Sequence, residues 1–194
     1  MIKIRKMAEL ITGYLQKNGI IEQEKQEVYI YGLQQMGVEM INILSILLIS
    51  IVCGQLVEAV VFVTAFRMLR SYAGGYHAKT QWRCYFLTVS TIILALSIIK
   101  YLIISVKMSI LLWGLSGVLI FLWVPIEAEN KPLDQMEIRI YRKKAKQIWC
   151  METICFLVSI LGKWVPVYES ILLAGICTSL SLVAANVKKL KVRK

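Results

Sequence analysis

The only histidine in this chain, His77, stands seven residues before a cysteine, Cys84, within the stretch RSYAGGYHAKTQWRC at residues 70–84. A thiolate is the reactive form of cysteine, and a neighbouring imidazole is the usual means of generating it. Cys84 as nucleophile with His77 as proton acceptor, and later donor, would make this stretch fit for acyl transfer. Seven residues of continuous helix rise about 10.5 Å, too far for a hydrogen bond. The pair therefore requires a bent path between its members. Gly74 and Gly75 supply permissive backbone just before His77. Thr80 fits the N-cap of the next helix, which puts Cys84 in that helix's first turn, where the helix dipole favours a thiolate. Taken singly, His77 reads equally as an interfacial histidine bonded to a loop carbonyl, and Cys84 as a packing cysteine. Their combination beside Gly-Gly at a helix start is what points to chemistry.

Two arginines lead into this stretch. Arg67 and Arg70 are three residues apart and so share a helix face. A guanidinium fork suits capture of a substrate carboxylate, although an arginine at a membrane edge also snorkels with no such role. No metal and no cofactor is expected. The cysteines at 53, 84, 150, 155 and 177 show no repeating ligand spacing, and one His with one Cys leaves two ligands to find.

The elements that must position these residues are apolar helices. Of 194 residues, 58% are hydrophobic and the mean hydropathy is +0.64, above the roughly 45–50% apolar content of soluble domains. The chain reads as an all-α, polytopic helical membrane protein of a single domain, 1–194, because lipid offers a backbone no hydrogen-bond partners. Residues 1–35 form an amphipathic leading segment with no early apolar core of a cleavable signal. Met7, Leu10, Ile11, Tyr14 and Leu15 fall at helical spacing on one stripe, fit either for the membrane surface or for packing on the bundle. About six membrane-embedded helical segments follow, near 36–53, 55–70, 84–106, 108–126, 148–165 and 168–187. The second is short, and it or others need not cross fully. Glu58 within it is costly unless it faces the protein interior. A polar break at 70–84, a basic loop at 127–147 and a basic tail at 188–194 complete the layout.

The net charge of +11 comes from 23 Lys and Arg against 12 Asp and Glu. Placing the N-terminus in the cytoplasm puts 20 of the 23 basic residues inside and leaves Lys100, Lys107 and Lys163 outside. That asymmetry favours cytoplasmic termini and a cytoplasmic His77–Cys84 stretch. The basic residues fall in no nucleic-acid-binding motif, so no nucleic acid partner is expected.

At these residues the sequence resembles the AgrB (accessory gene regulator B) family of membrane cysteine endopeptidases of Gram-positive bacteria. The resemblance rests on Arg70, Gly74, Gly75, His77, Ala78 and Cys84, and on VPIEAENKPL, with Pro125, Glu127, Asn130, Lys131 and Pro132. It also includes YGLQQM near Tyr31. It implies a substrate peptide of the AgrD type, with an amphipathic leader, a central signal segment and an acidic C-terminal tail. It further implies that Cys84 cleaves between signal and tail, with His77 as base and then acid, leaving a thioester. An internal nucleophile of the peptide then closes a thiolactone or lactone ring for quorum sensing. Arg67, Arg70 and Lys131 become candidates for substrate binding, and Gln34 for oxyanion support. Gly74, Gly75, Pro125, Asn130 and Pro132 become structural members of the site. Self-association as a homodimer follows from the resemblance only; Gly114 and Gly117 permit close helix contacts without requiring them.

The competing reading is a small membrane transporter or exporter of a peptide, with Glu58 and the arginines lining a path. The absence of paired half-repeats weighs against it.

Overall fold

A computed structural model describes residues 2–75, 80–127 and 133–192. Among the described residues seven α-helices run in order: α1 (Ile2–Lys17), α2 (Gln26–Cys53), α3 (Leu56–Ala73), α4 (Gln81–Tyr101), α5 (Val106–Trp123), α6 (Gln135–Leu161) and α7 (Val165–Val192). A short 3-10 turn at Gln23–Lys25 precedes α2. The described residues form no strand, only one isolated parallel bridge between Gly74 and Ile126.

Among the described residues four stretches are long and apolar enough to cross a bilayer: Gln23–Cys53, Trp82–Tyr101, Val106–Trp123 and Val165–Lys189. Their exposed faces carry apolar side chains such as Leu44, Leu48, Leu94, Leu111 and Leu122, as lipid-facing helices do. The other two segments expected from sequence are also helical, but they are not among these four. α3 carries Glu58, Arg67 and Arg70, and α6 carries a run of cations in its first half. The region 127–147, expected as a loop, is helical from Gln135 onward. Its start is fixed by a capping box: Asp134 accepts at the helix start while the Glu137 carboxylate accepts from the Asp134 amide at 3.1 Å. The segment expected to run to 106 stops at Tyr101. Residues 102–105 are non-helical, and Ser105 then caps α5.

The chain divides into two compact units, Met1–Leu48 and Ile49–Lys194. In the first, α1 turns Ala8 and Thr12 inward and leaves Met7, Leu10 and Tyr14 exposed. Met7, Leu10, Ile11 and Tyr14 of the stripe read from sequence are thus exposed, and Leu15 is half-buried. Ile4 packs against Gly37 of α2, where a β-carbon would come within 2.9 Å of the Ile4 side chain.

In the second unit, α7 is the most enclosed span, with half of its most apolar stretch buried, and it packs on α3, α4, α5 and α6. Two apolar clusters surround it. Leu69, Ala73, Ile120, Val124, Ala145 and Leu182 form one; Trp113, Phe156, Tyr168, Ile171 and Leu172 form the other. The Trp113 ring stacks on Trp149 (centroids 5.6 Å apart) and on Phe156 (5.1 Å), and its Nε1 donates to Thr153 Oγ1 at 3.0 Å. Glycines admit these rings. A β-carbon at Gly117 would lie 2.3 Å from Trp149, and one at Gly175 would lie 2.6 Å from Trp113. Gly114, one turn before Gly117, faces open space.

Two buried carboxyls differ in their surroundings. Glu169 has the backbone amide of Ile104 within reach of its carboxyl. Glu152 is 4% exposed, and neither of its oxygens meets a donor among the described residues. An uncompensated buried carboxylate is costly, and an apolar replacement of similar volume is commonly neutral or better.

Two predictions follow from this packing. Gly117→Ala should lower the melting temperature in detergent by several degrees, consistent with an overpacking cost of about 1–3 kcal/mol, whereas Gly114→Ala should leave it unchanged. Glu152→Leu should keep the membrane level and hold or raise the melting temperature; a marked loss would show that Glu152 has a partner that needs it.

Candidate functional site

The site is built where α3 ends. Gly74 stops the helix with φ +73°, and its amide donates to Arg70 O at 3.1 Å. Gly75 follows at φ +128°. Both conformations are open to glycine and strained for other residues. Space also demands glycine. A β-carbon on Gly74 would lie 2.1 Å from the Ile126 carbonyl oxygen, and one on Gly75 would lie 2.0 Å from Arg70 Nη1 and 2.7 Å from Ser181 Oγ. The segment after α5 runs beside this turn. The Ile126 amide donates to Ala73 O at 3.0 Å, just beyond Pro125. Arg142 of α6 steadies the same place, its Nε donating to Val124 O at 3.1 Å, a cation meeting the carbonyl end of α5.

Arg70 ties the turn together. Its Nη1 donates to Gly74 O at 2.8 Å and to Ser181 Oγ at 2.5 Å. The guanidinium is half-buried in α3, which is not one of the four candidate spans. Burial weighs against its charged form and lowers its pKa, and Cys84, within electrostatic range, opposes that fall. Arg67, one turn earlier, is exposed. The two arginines expected to act alike are therefore in different surroundings: Arg67 points outward and Arg70 is engaged within the protein.

Cys84 is the fourth residue of α4 and is exposed. Thr80 caps that helix, its side chain accepting from the Arg83 amide at 3.4 Å, and the Cys84 amide donates to Thr80 O at 3.1 Å. Both features follow the sequence expectation. Trp82, Tyr85 and Phe86 pack ring against ring on the same helix start. His77 lies outside the described residues, as do Asn130, Lys131 and Pro132. Gln34 is a half-buried residue of α2 in the first unit. The structure thus brings Arg70, Gly74, Gly75 and the chain just after Pro125 together, with Cys84 in electrostatic range. Sequence reading missed Ser181 and Arg142. Neither carries a local signal, since each acts on a partner far along the chain.

The fold and this site define a polytopic helical membrane protein with an exposed thiol at a helix start beside a glycine turn. A model of the AgrB family, accessory gene regulator B, matches residues 8–183, and the chain belongs to that family. It is similar to AgrB-like protein 2 of Clostridium perfringens (strain 13 / Type A), with 28% identity over 67% of this chain and 64% of that protein. Protein FsrB of Enterococcus faecalis is 28% identical over 60% of this chain and 49% of its own length. An AgrB-like protein of Clostridium acetobutylicum is 26% identical over 73% and 68%. The matched stretch thus spans less than two thirds of the first two relatives. No solved structure matches the chain.

The two glycines should not be equally sensitive. Gly74→Ala presses on backbone at Ile126 and should cost more stability than Gly75→Ala, which presses on side-chain atoms that can move. Gly19→Ala, at φ +68° but in open space, should cost only the backbone strain of about 1 kcal/mol. Thermal unfolding of the three purified variants checks this order.

Proposed function

We propose that this chain is a membrane cysteine endopeptidase that removes the acidic tail of an AgrD-type peptide and prepares the remainder for cyclisation. The observation that carries the reading is the placement of Cys84: an exposed thiol in the first turn of α4, one short segment after a fixed glycine turn. That segment contains His77. Family membership supports the same reading.

The chemistry balances with the residues named. His77 takes the Cys84 proton, and the thiolate attacks the carbonyl carbon between signal and tail. The tetrahedral intermediate collapses, the C–N bond breaks, and the leaving amine takes its proton from His77. The signal segment remains as a thioester on Cys84. An internal cysteine of the peptide then attacks that carbonyl, its proton passes to the Cys84 sulfur, and a thiolactone leaves. A serine would give a lactone instead. Thioester and thiolactone lie close in energy, so ring closure needs no external energy source provided water is kept from the acyl group. The backbone amides at the start of α4 are candidate oxyanion donors.

Charge complementarity supports the substrate class. Exposed Arg139 and Lys143 stand on the first turns of α6, and with Arg67 and Lys131 they suit an acidic tail. Not every cation there is available: Arg142 holds Val124, and Lys144 lies 5.1 Å from the Tyr72 ring centroid. An amphipathic leader would rest on the inner leaflet beside this face. Both termini and the pair belong on the cytoplasmic side, and a second copy of the chain is the expected partner by resemblance.

Co-expression with the precursor tests the reading. Cys84→Ala should abolish tail release, and His77→Ala should slow it by roughly 10²–10⁴, each at unchanged membrane level. Cys84→Ser should be strongly impaired, since a serine hydroxyl is poorly ionised. Tail release by Cys84→Ala at the wild-type rate would overturn the assignment.

A further inference from the structure

Ser181 belongs to no part of the chemistry just described, yet it meets the site directly. It lies on α7, 111 residues along the chain from Arg70, and its Oγ accepts from Arg70 Nη1. The same Nη1 donates to Gly74 O. Gly75 passes so close over the pair that a β-carbon there would reach both the guanidinium and Ser181 Oγ. One hydroxyl therefore fixes one guanidinium nitrogen, and that nitrogen fixes the first carbonyl of the turn leading to His77.

The hydroxyl is itself held in place. Leu182, the next residue, is fully buried in the cluster that contains Leu69 and Ala73. These two residues flank Arg70 on α3. The backbone of α7 at Ser181 and the backbone of α3 at Arg70 are thus locked together by apolar packing, and the polar contact spans a gap of set width. A guanidinium has several N–H groups and a long stem with many rotamers. Ser181 Oγ is a second acceptor for Nη1 beside Gly74 O, and its removal takes away one of the contacts that aim that nitrogen.

We propose that Ser181 is a positioning residue for the peptidase reaction: its hydroxyl, acting through Arg70, sets the Gly74–Gly75 turn that leads along the chain to His77. The proposal rests on the peptidase reading above. It assigns Ser181 no contact with the substrate. Its loss should therefore slow formation of the thioester and leave binding of the peptide unchanged. A merely structural role would lower the amount of folded protein and leave the rate per molecule alone.

The test uses the full chain in vesicles with a synthetic precursor peptide, measuring membrane level, KM and kcat for tail release. Ser181→Ala should reach the membrane normally and lose about tenfold in kcat, with KM within twofold. Ser181→Thr and Ser181→Val then separate hydroxyl from shape, because the two side chains are nearly isosteric and only threonine keeps the oxygen. Threonine should restore kcat to within about threefold of wild type, and valine should match alanine. The proposal is overturned if Ser181→Ala keeps the wild-type kcat. It is equally overturned if threonine and valine behave alike, or if the loss lies in KM or in membrane level alone. Cys84→Ala run in parallel distinguishes the two claims. Cleavage by Cys84→Ala removes the peptidase reading itself. An inactive Cys84→Ala with a fully active Ser181→Ala removes only the role of Ser181.

Discussion

A cation drawn out of water must find its hydrogen-bond acceptors inside the protein, and Arg70 finds two of them in the Gly74 carbonyl and the Ser181 hydroxyl. The rest of the site hangs on that arrangement. The acceptors are within reach only because α3 ends in a glycine and because α7 lies against α3 at that level. They stay in reach because Leu69, Ala73 and Leu182 are sealed in one apolar cluster. Apolar packing sets the spacing of the helices here, and the polar contact uses that spacing to give the turn a single geometry. The order of cause matters: neither glycine conformation would be worth its entropy without a partner to hold it.

The same division of labour recurs around the turn. Arg142 could be read as one more positive charge for an acidic ligand, yet its Nε donates to Val124 O and steadies the end of α5. Ile126 then lies alongside Ala73 and Gly74. Basic residues on α6 thus serve two purposes. Some hold neighbouring helix ends, and the exposed ones remain for ligands. Sequence charge alone sums the two classes. Below this level the aromatic stack of Trp113, Trp149 and Phe156 fills the bundle, admitted by Gly117 and Gly175.

What the sequence made legible was local. Apolar runs located the helices, since lipid leaves a backbone few other choices. Thr80 as N-cap and Cys84 in the first turn followed from capping chemistry within five residues. Gly-Gly before His77 announced a turn. The helical start of the basic region was missed, although Asp134 and Glu137 carry the capping-box spacing, because the charge run drew attention to a loop. Ser181 was beyond reach for a different reason. A serine in an apolar helix carries no mark of its partner, and the partner lies on the opposite side of 111 residues. The different surroundings of Arg67 and Arg70 were hidden likewise: three-residue spacing puts both on one face, and only the position of α7 decides which is covered.

The order in which the helices are made gives the Arg70–Ser181 contact a further meaning. α7 packs on four helices that all precede it in the chain, so until translation has passed residue 181 the guanidinium has no hydroxyl to meet. A nascent chain can insert α3, α4, α5 and α6 and present Cys84 on a finished helix start while the turn before His77 is still unset. This contact therefore cannot set the turn until α7 has been made, and a thiol exposed early in synthesis is not yet one backed by a fixed turn.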